Sequence, residues 1–187
     1  MKELPFNQSK PVEQISKPYQ GWTVDTGVFE LVRPFLALTQ WEAKNLKLEN
    51  GVPSQPPSFA HFDEIGITEV RKLQGILPQF ARSEAQNYAP NTAELLKMVE
   101  NHPEATLYGY YVGPQRGDER ITFEGFTVYG FKNWKVPMEY SRSRYRELWQ
   151  EVCETLELEN SDYPPDEIRL SGRINHKGEP EWVFWWD

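Results

Sequence analysis

The 187 residues include 28 Asp and Glu against 20 Lys and Arg, for a net charge of -8, and a single Cys. That balance repels a phosphate backbone and argues against nucleic acid as a general partner. One thiol cannot build a disulfide framework, and no run approaches the ~20 apolar residues of a membrane span. With 39% hydrophobic and 26% charged residues the composition is that of a globular chain. Residues 1–10 lack the apolar run of a signal peptide, so a cytoplasmic location is expected.

Residues 1–22 are polar and spaced by proline, with Ser-Lys-Pro at Ser9-Lys10-Pro11 and Ser16-Lys17-Pro18. They read as an extended Pro-rich arm ahead of one globular domain over 23–187. Between Thr26 and Asn50 the pattern is ambiguous, and Pro34 is expected to begin a helix running through Trp41 to Leu46. Residues 51–60 read as loop. Val70, Leu73, Leu77, Phe80 and Ala81 then mark an amphipathic helix that starts near Asp63 or Thr68, with Pro78 ending or kinking it. Asn91-Thr92-Ala93-Glu94 has the spacing of a capping box, and His102-Pro103 stops the helix that follows.

Next the period changes from helix to strand. Leu107–Val112 and Ile121–Tyr129 form a predicted antiparallel hairpin, within about 105–129. A helix follows over Arg142–Leu156, with Tyr145, Leu148, Trp149, Val152 and Leu156 on one side. Glu167–Ile174 and Glu181–Trp186 flank Asn175-His176-Lys177-Gly178 as a second hairpin, within 167–187. Antiparallel hairpins packed against several helices define an α+β fold.

The chemistry-bearing residues are sparse. Arg142, Arg144 and Arg146 stand at a helix start, where cations oppose the helix dipole. With Ser141 and Ser143 they suggest an anion site, and Tyr108 or Tyr110 is a candidate to stack on its ligand. His61, Asp63 and Glu64 put one imidazole and two carboxylates in four positions, although Asp63 serves equally as a helix N-cap. Glu124 lies between Phe123 and Gly125, and simple alternation puts Phe126 and Val128 on its face. A carboxylate among rings has a raised pKa and can act as an acid or as a polar anchor. The acidic stretch 147–168 lacks the spacing of a calcium loop and reads as a solvated face or a docking surface, and no metal or cofactor is implied. Cys153 falls on the apolar side of its helix as a structural thiol. Arg116-Gly117-Asp118 reads as turn chemistry.

The 7 Trp, 9 Tyr and 10 Phe supply recognition area but no proton-transfer group at neutral pH. A non-catalytic interaction protein is therefore the leading expectation. It would engage a protein partner or its own copy through aromatic sheet surface or the acidic segment. Two alternatives stand beside it: a binder of small anions or phosphorylated ligands near Arg142, and a hydrolase built on Glu124, His61, Asp63 and Glu64.

Overall fold

A computed structural model describes residues 17–136, 142–159 and 163–187 of the chain, apart from the side chains of Trp41 and Arg142. In chain order the elements are α1 (Trp22–Asp25), α2 (Val28–Val32), a 3-10 turn (Arg33–Phe35), β1 (Leu36–Ala37), α3 (Gln40–Asn45), β2 (Leu48–Glu49) and β3 (Val52–Pro53). β4 (Phe59–Ile65), α4 (Ile67–Ile76), α5 (Gln79–Arg82), α6 (Thr92–Asn101) and β5 (Ala105–Val112) follow. Last come β6 (Arg120–Tyr129), α7 (Arg142–Leu156), β7 (Glu167–Ile174) and β8 (Pro180–Trp185). The domain is α+β, and both expected hairpins belong to one antiparallel sheet of six strands in the order β1-β4-β5-β6-β8-β7.

Strand alternation divides that sheet into two unlike faces. Leu107 and Tyr111 of β5 and Phe123, Phe126 and Val128 of β6 are buried on one side, as are Trp182, Phe184 and Trp186 at the C-terminal end. The helices close over them. Leu148, Trp149, Val152 and Leu156 of α7 are buried at helical spacing, and Trp149 packs 5.4 Å from Trp186 and 6.1 Å from Phe184. Phe126 stacks on Phe184 at 4.5 Å, and Trp134 stands edge-on to Trp182 at 5.6 Å. Each such ring pair contributes about 0.5–1.5 kcal/mol beyond its buried area. Strand β8 is interior, flanked by β6 and β7, and can bury rings that an edge strand would expose.

Local signals explain most boundaries. Asn91 caps α6 reciprocally: its Oδ1 accepts from the Glu94 amide at 3.0 Å, and the Glu94 carboxylate accepts from the Asn91 amide at 3.2 Å. Thr39 and Glu42 repeat the device at α3. In the second hairpin the Asn175 amide donates to the Glu179 carbonyl, and Gly178 supplies the positive φ of 70° that the turn needs.

Three expectations are corrected. Residues 51–60 are not all loop, since Val52–Pro53 pairs with Leu48–Glu49 and Phe59 opens β4. His61, Asp63 and Glu64 lie in β4 rather than before a helix, because Ala60, Phe62 and Ile65 are the inward positions of a strand. Asp63 therefore caps nothing; Gly66 precedes α4, without a side-chain cap. Pro34 sits inside the 3-10 turn, and α3 begins after Thr39. Of the arm, residues 1–16 lie outside the described residues, and Trp22 opens α1 in the core at 1% exposure.

Candidate functional site

The face of the sheet opposite the helices carries Tyr108, Tyr110, His61 and Glu124 among the side chains that sequence reasoning singled out, with Asp63 and Glu64 at its margin. Strand register sets them in rows. Tyr108, Gly125, Trp185 and Glu167 are neighbours across β5, β6, β8 and β7, and Thr106, Thr127, Val183 and Arg169 form the next row. Gly125 lets the first row lie flat. A Cβ there would strike the Tyr108 ring and the Phe184 carbonyl, whereas the glycine allows the Tyr108 hydroxyl to donate to Phe184 O at 2.8 Å. Burial holds that phenol well above its ordinary pKa. The Thr106 and Thr127 hydroxyls meet at 3.0 Å.

A groove of about 600 Å³ runs over these rows. Its floor includes Tyr108, Val183 and Trp185, and its walls carry Asp63, Glu64, Glu167, Glu181, Arg169 and Arg173. The guanidinium groups are already engaged: Arg169 lies 3.0 Å from Glu167, while Arg173 lies 3.7 Å from Glu64 and 4.0 Å from the buried Glu181. Carboxylates thus outnumber free cations along the wall.

Beside the groove, Glu124 and His61 come together. The Nδ1 of His61 is 3.5 Å from a Glu124 oxygen, with Phe59 5.1 Å from the imidazole ring and Tyr110 6.4 Å from it. Desolvation pushes the Glu124 carboxyl above its ordinary range, His61 opposes that shift, and Asp187 adds to it. A β-bulge aims this side chain. Tyr108 pairs with Gly125 but Gly109 pairs with Phe123, so Glu124 is an extra residue. Simple alternation is thereby broken. Phe126 and Val128 point into the helix-covered core, and Glu124 points out toward His61, not onto their face. Asp63 and Glu64 do not join the pair; they stand on the wall of the groove, and Glu64 faces Arg173.

On α7, Arg144 and Arg146 are exposed, while Ser141 and the side chain of Arg142 lie outside the described residues. Because α7 packs through Trp149 onto the core face, its arginines and the tyrosines Tyr108 and Tyr110 belong to different surfaces. The acidic end of this helix docks on α6, where Glu157 accepts from Asn101 at 2.8 Å and Glu159 pairs with Lys97 at 3.2 Å. Cys153 is half-buried against the core, and Arg116 forks onto Asp118 at 2.8 and 2.9 Å within the hairpin loop.

Sequence reasoning missed Glu119, at 8% exposure the hub of a buried network. Its carboxylate accepts from the Gly21 amide, from the Thr23 amide at 2.8 Å and from the Thr23 hydroxyl at 2.6 Å. The Thr23 hydroxyl also meets the Tyr111 phenol at 2.8 Å. This ties the start of the domain to the β5–β6 hairpin and is structural. Its partners lie nearly a hundred positions away, and no local pattern marks them.

Among the described residues no group of three or more His, Cys, Asp or Glu is placed to hold a metal ion, and no helix is long and apolar enough to cross a membrane. Comparison with protein-family models, curated proteins and solved structures returned no match.

Proposed function

We propose that this chain is a non-catalytic binding domain whose open sheet face receives a basic protein partner. The observation that carries the reading is the groove itself: a floor of Tyr108, Val183 and Trp185 interleaved with Thr106 and Thr127, within a carboxylate-rich wall, on the face of the sheet that the described helices leave uncovered. Partly buried aromatic rings are the usual anchors of protein interfaces. Both wall arginines are paired internally, which leaves Asp63 and the exposed Glu64 to meet a cation. The net charge of -8 steers a basic partner toward the molecule.

Selection from a displayed random-peptide library tests this, with the blocking variant Thr127→Arg as counter-target. Clones enriched on the unmodified protein are expected to carry Lys or Arg beside apolar residues and to lose binding to Thr127→Arg. Clones that bind both proteins equally, or no enrichment at all, would reject the reading.

The closeness of Glu124 and His61 supports a second reading, acid–base hydrolysis of a small substrate. It ranks lower because the imidazole is 57% exposed, so water reaches a reacting bond beside it. Turnover of model esters or glycosides that disappears in both Glu124→Gln and His61→Gln would reverse the ranking.

A further inference from the structure

A second cavity, of about 310 Å³, lies at the other end of β6. Pairing of β6 with β8 begins at Gly125, so the stretch Ile121–Phe123 has β5 on one side and, among the described residues, no strand on the other, where residues 84–90 and the start of α6 border the gap instead. The volume is at the lower end of the range of small-molecule sites, about 300–1,000 Å³. Apolar walls come from Leu95 and Phe123, while Glu84, Gln86, Tyr110 and Arg120 supply polar groups.

The backbone at Glu84 and the guanidinium of Arg120 are held in place, while the Glu84 side chain is exposed. The Glu84 carbonyl accepts from the Thr92 amide at 2.8 Å and from the Thr92 hydroxyl at 3.2 Å, which pins its backbone to α6. Arg120 donates to Asp118 at 2.7 Å and to the Tyr110 hydroxyl at 3.1 Å, and its guanidinium carbon lies 5.2 Å from the centre of the Tyr110 ring. The Tyr110 hydroxyl reaches Gln86 at 3.3 Å. Yet Glu84 and Arg120 do not touch: no ion pair joins them, and among the described residues the Glu84 carboxylate has no hydrogen-bond partner. They sense each other electrostatically across the cavity, where burial raises the Glu84 pKa and Arg120 opposes the rise. Opposite charges that line one small cavity without meeting match a ligand that carries the same two charges in reverse, with Arg120 shared between that ligand and Asp118.

We infer that this cleft binds a small zwitterion of the free α-amino acid class, its ammonium on Glu84 and its carboxylate on Arg120. The cavity shares no lining residue with the groove, and either assignment can fail without the other. Free L-amino acids, titrated one at a time at up to about 10 mM and followed calorimetrically, provide the test, with the N-acetyl and C-amide derivatives of whichever binds best. At least one free amino acid is expected to bind, and each derivative to bind about tenfold more weakly or worse. In Glu84→Gln, which loses no hydrogen bond among the described residues, the free form is expected to fall to the affinity of the N-acetyl form. Absence of binding by every amino acid, or equal binding of the free and N-acetyl forms by the unmodified protein, would overturn the proposal. So would unchanged binding by a folded Glu84→Gln protein.

Discussion

Replacing Glu119 with Ala removes the acceptor that joins Gly21 and Thr23 to the β5–β6 hairpin. Three donors lose their partner, but they do not lose it equally. Thr23 is fully buried, so its amide is left without water or protein, while its hydroxyl retains Tyr111 and the Gly21 amide lies nearer the surface. Hydrogen bonds to a charged group contribute about 1.5–3 kcal/mol each, and an orphaned buried donor costs about 1–3 kcal/mol. Allowing for relaxation, the expected loss is about 3–5 kcal/mol, a large part of a typical domain's stability. Urea unfolding should show this as a lower midpoint at unchanged slope. A double-mutant cycle with Thr23→Val isolates the pair, and a coupling of about 1–3 kcal/mol is expected for groups in direct contact. A loss below about 1 kcal/mol for Glu119→Ala, or strict additivity with Thr23→Val, would refute the network as a stabilising unit.

Gly125→Ala should destabilise by about 1–3 kcal/mol or more, because the added methyl collides with backbone at Phe184 and with the Tyr108 ring; a neutral effect in thermal unfolding would contradict the close packing of that row. Since the folded-state pKa of Glu124 is raised, the folded protein holds this proton more tightly than the unfolded chain does. Its contribution is therefore fully present below the ordinary carboxylate pKa of about 4.3 and is lost as pH rises through the higher folded-state midpoint. Glu124→Gln should accordingly gain stability relative to the unmodified protein between about pH 4 and pH 7, and a constant difference across that range would contradict the desolvated site. Asp118, held down to about 2 by its hydrogen bonds to Arg116 and Arg120, should show by NMR a midpoint that rises toward the ordinary range in Arg116→Gln; an unchanged midpoint would assign the shift elsewhere.

Where the fold was legible in the sequence, a local pattern coincided with burial. α7 follows from the spacing of Leu148, Trp149, Val152 and Leu156, α6 from the Asn91 and Glu94 box, and both hairpins from runs of aromatic and β-branched residues. The illegible parts depend on a partner strand. A bulge is one extra residue relative to a neighbour, so the outward turn of Glu124 and the positive φ of Glu64 leave no mark on their own segments. Strand β4 was hidden for a related reason: Asp63 and Glu64 look like the first turn of a helix until Ala60, Phe62 and Ile65 are seen to face the core. The candidate site was only partly legible. Tyr108 was singled out, but as a stacking partner for an anion near Arg142, and the groove requires β7 and β4 to stand on opposite sides of β5, β6 and β8, which is a matter of sheet order.

The central claim is that the open sheet face is the binding surface, and amide chemical-shift mapping with a basic peptide recovered by display tests it most directly. Perturbations are expected at Thr106, Tyr108, Thr127, Val183 and Trp185, with binding that weakens as salt screens the carboxylate wall. Perturbations confined to α6 and α7, on the far side of the sheet, would contradict it.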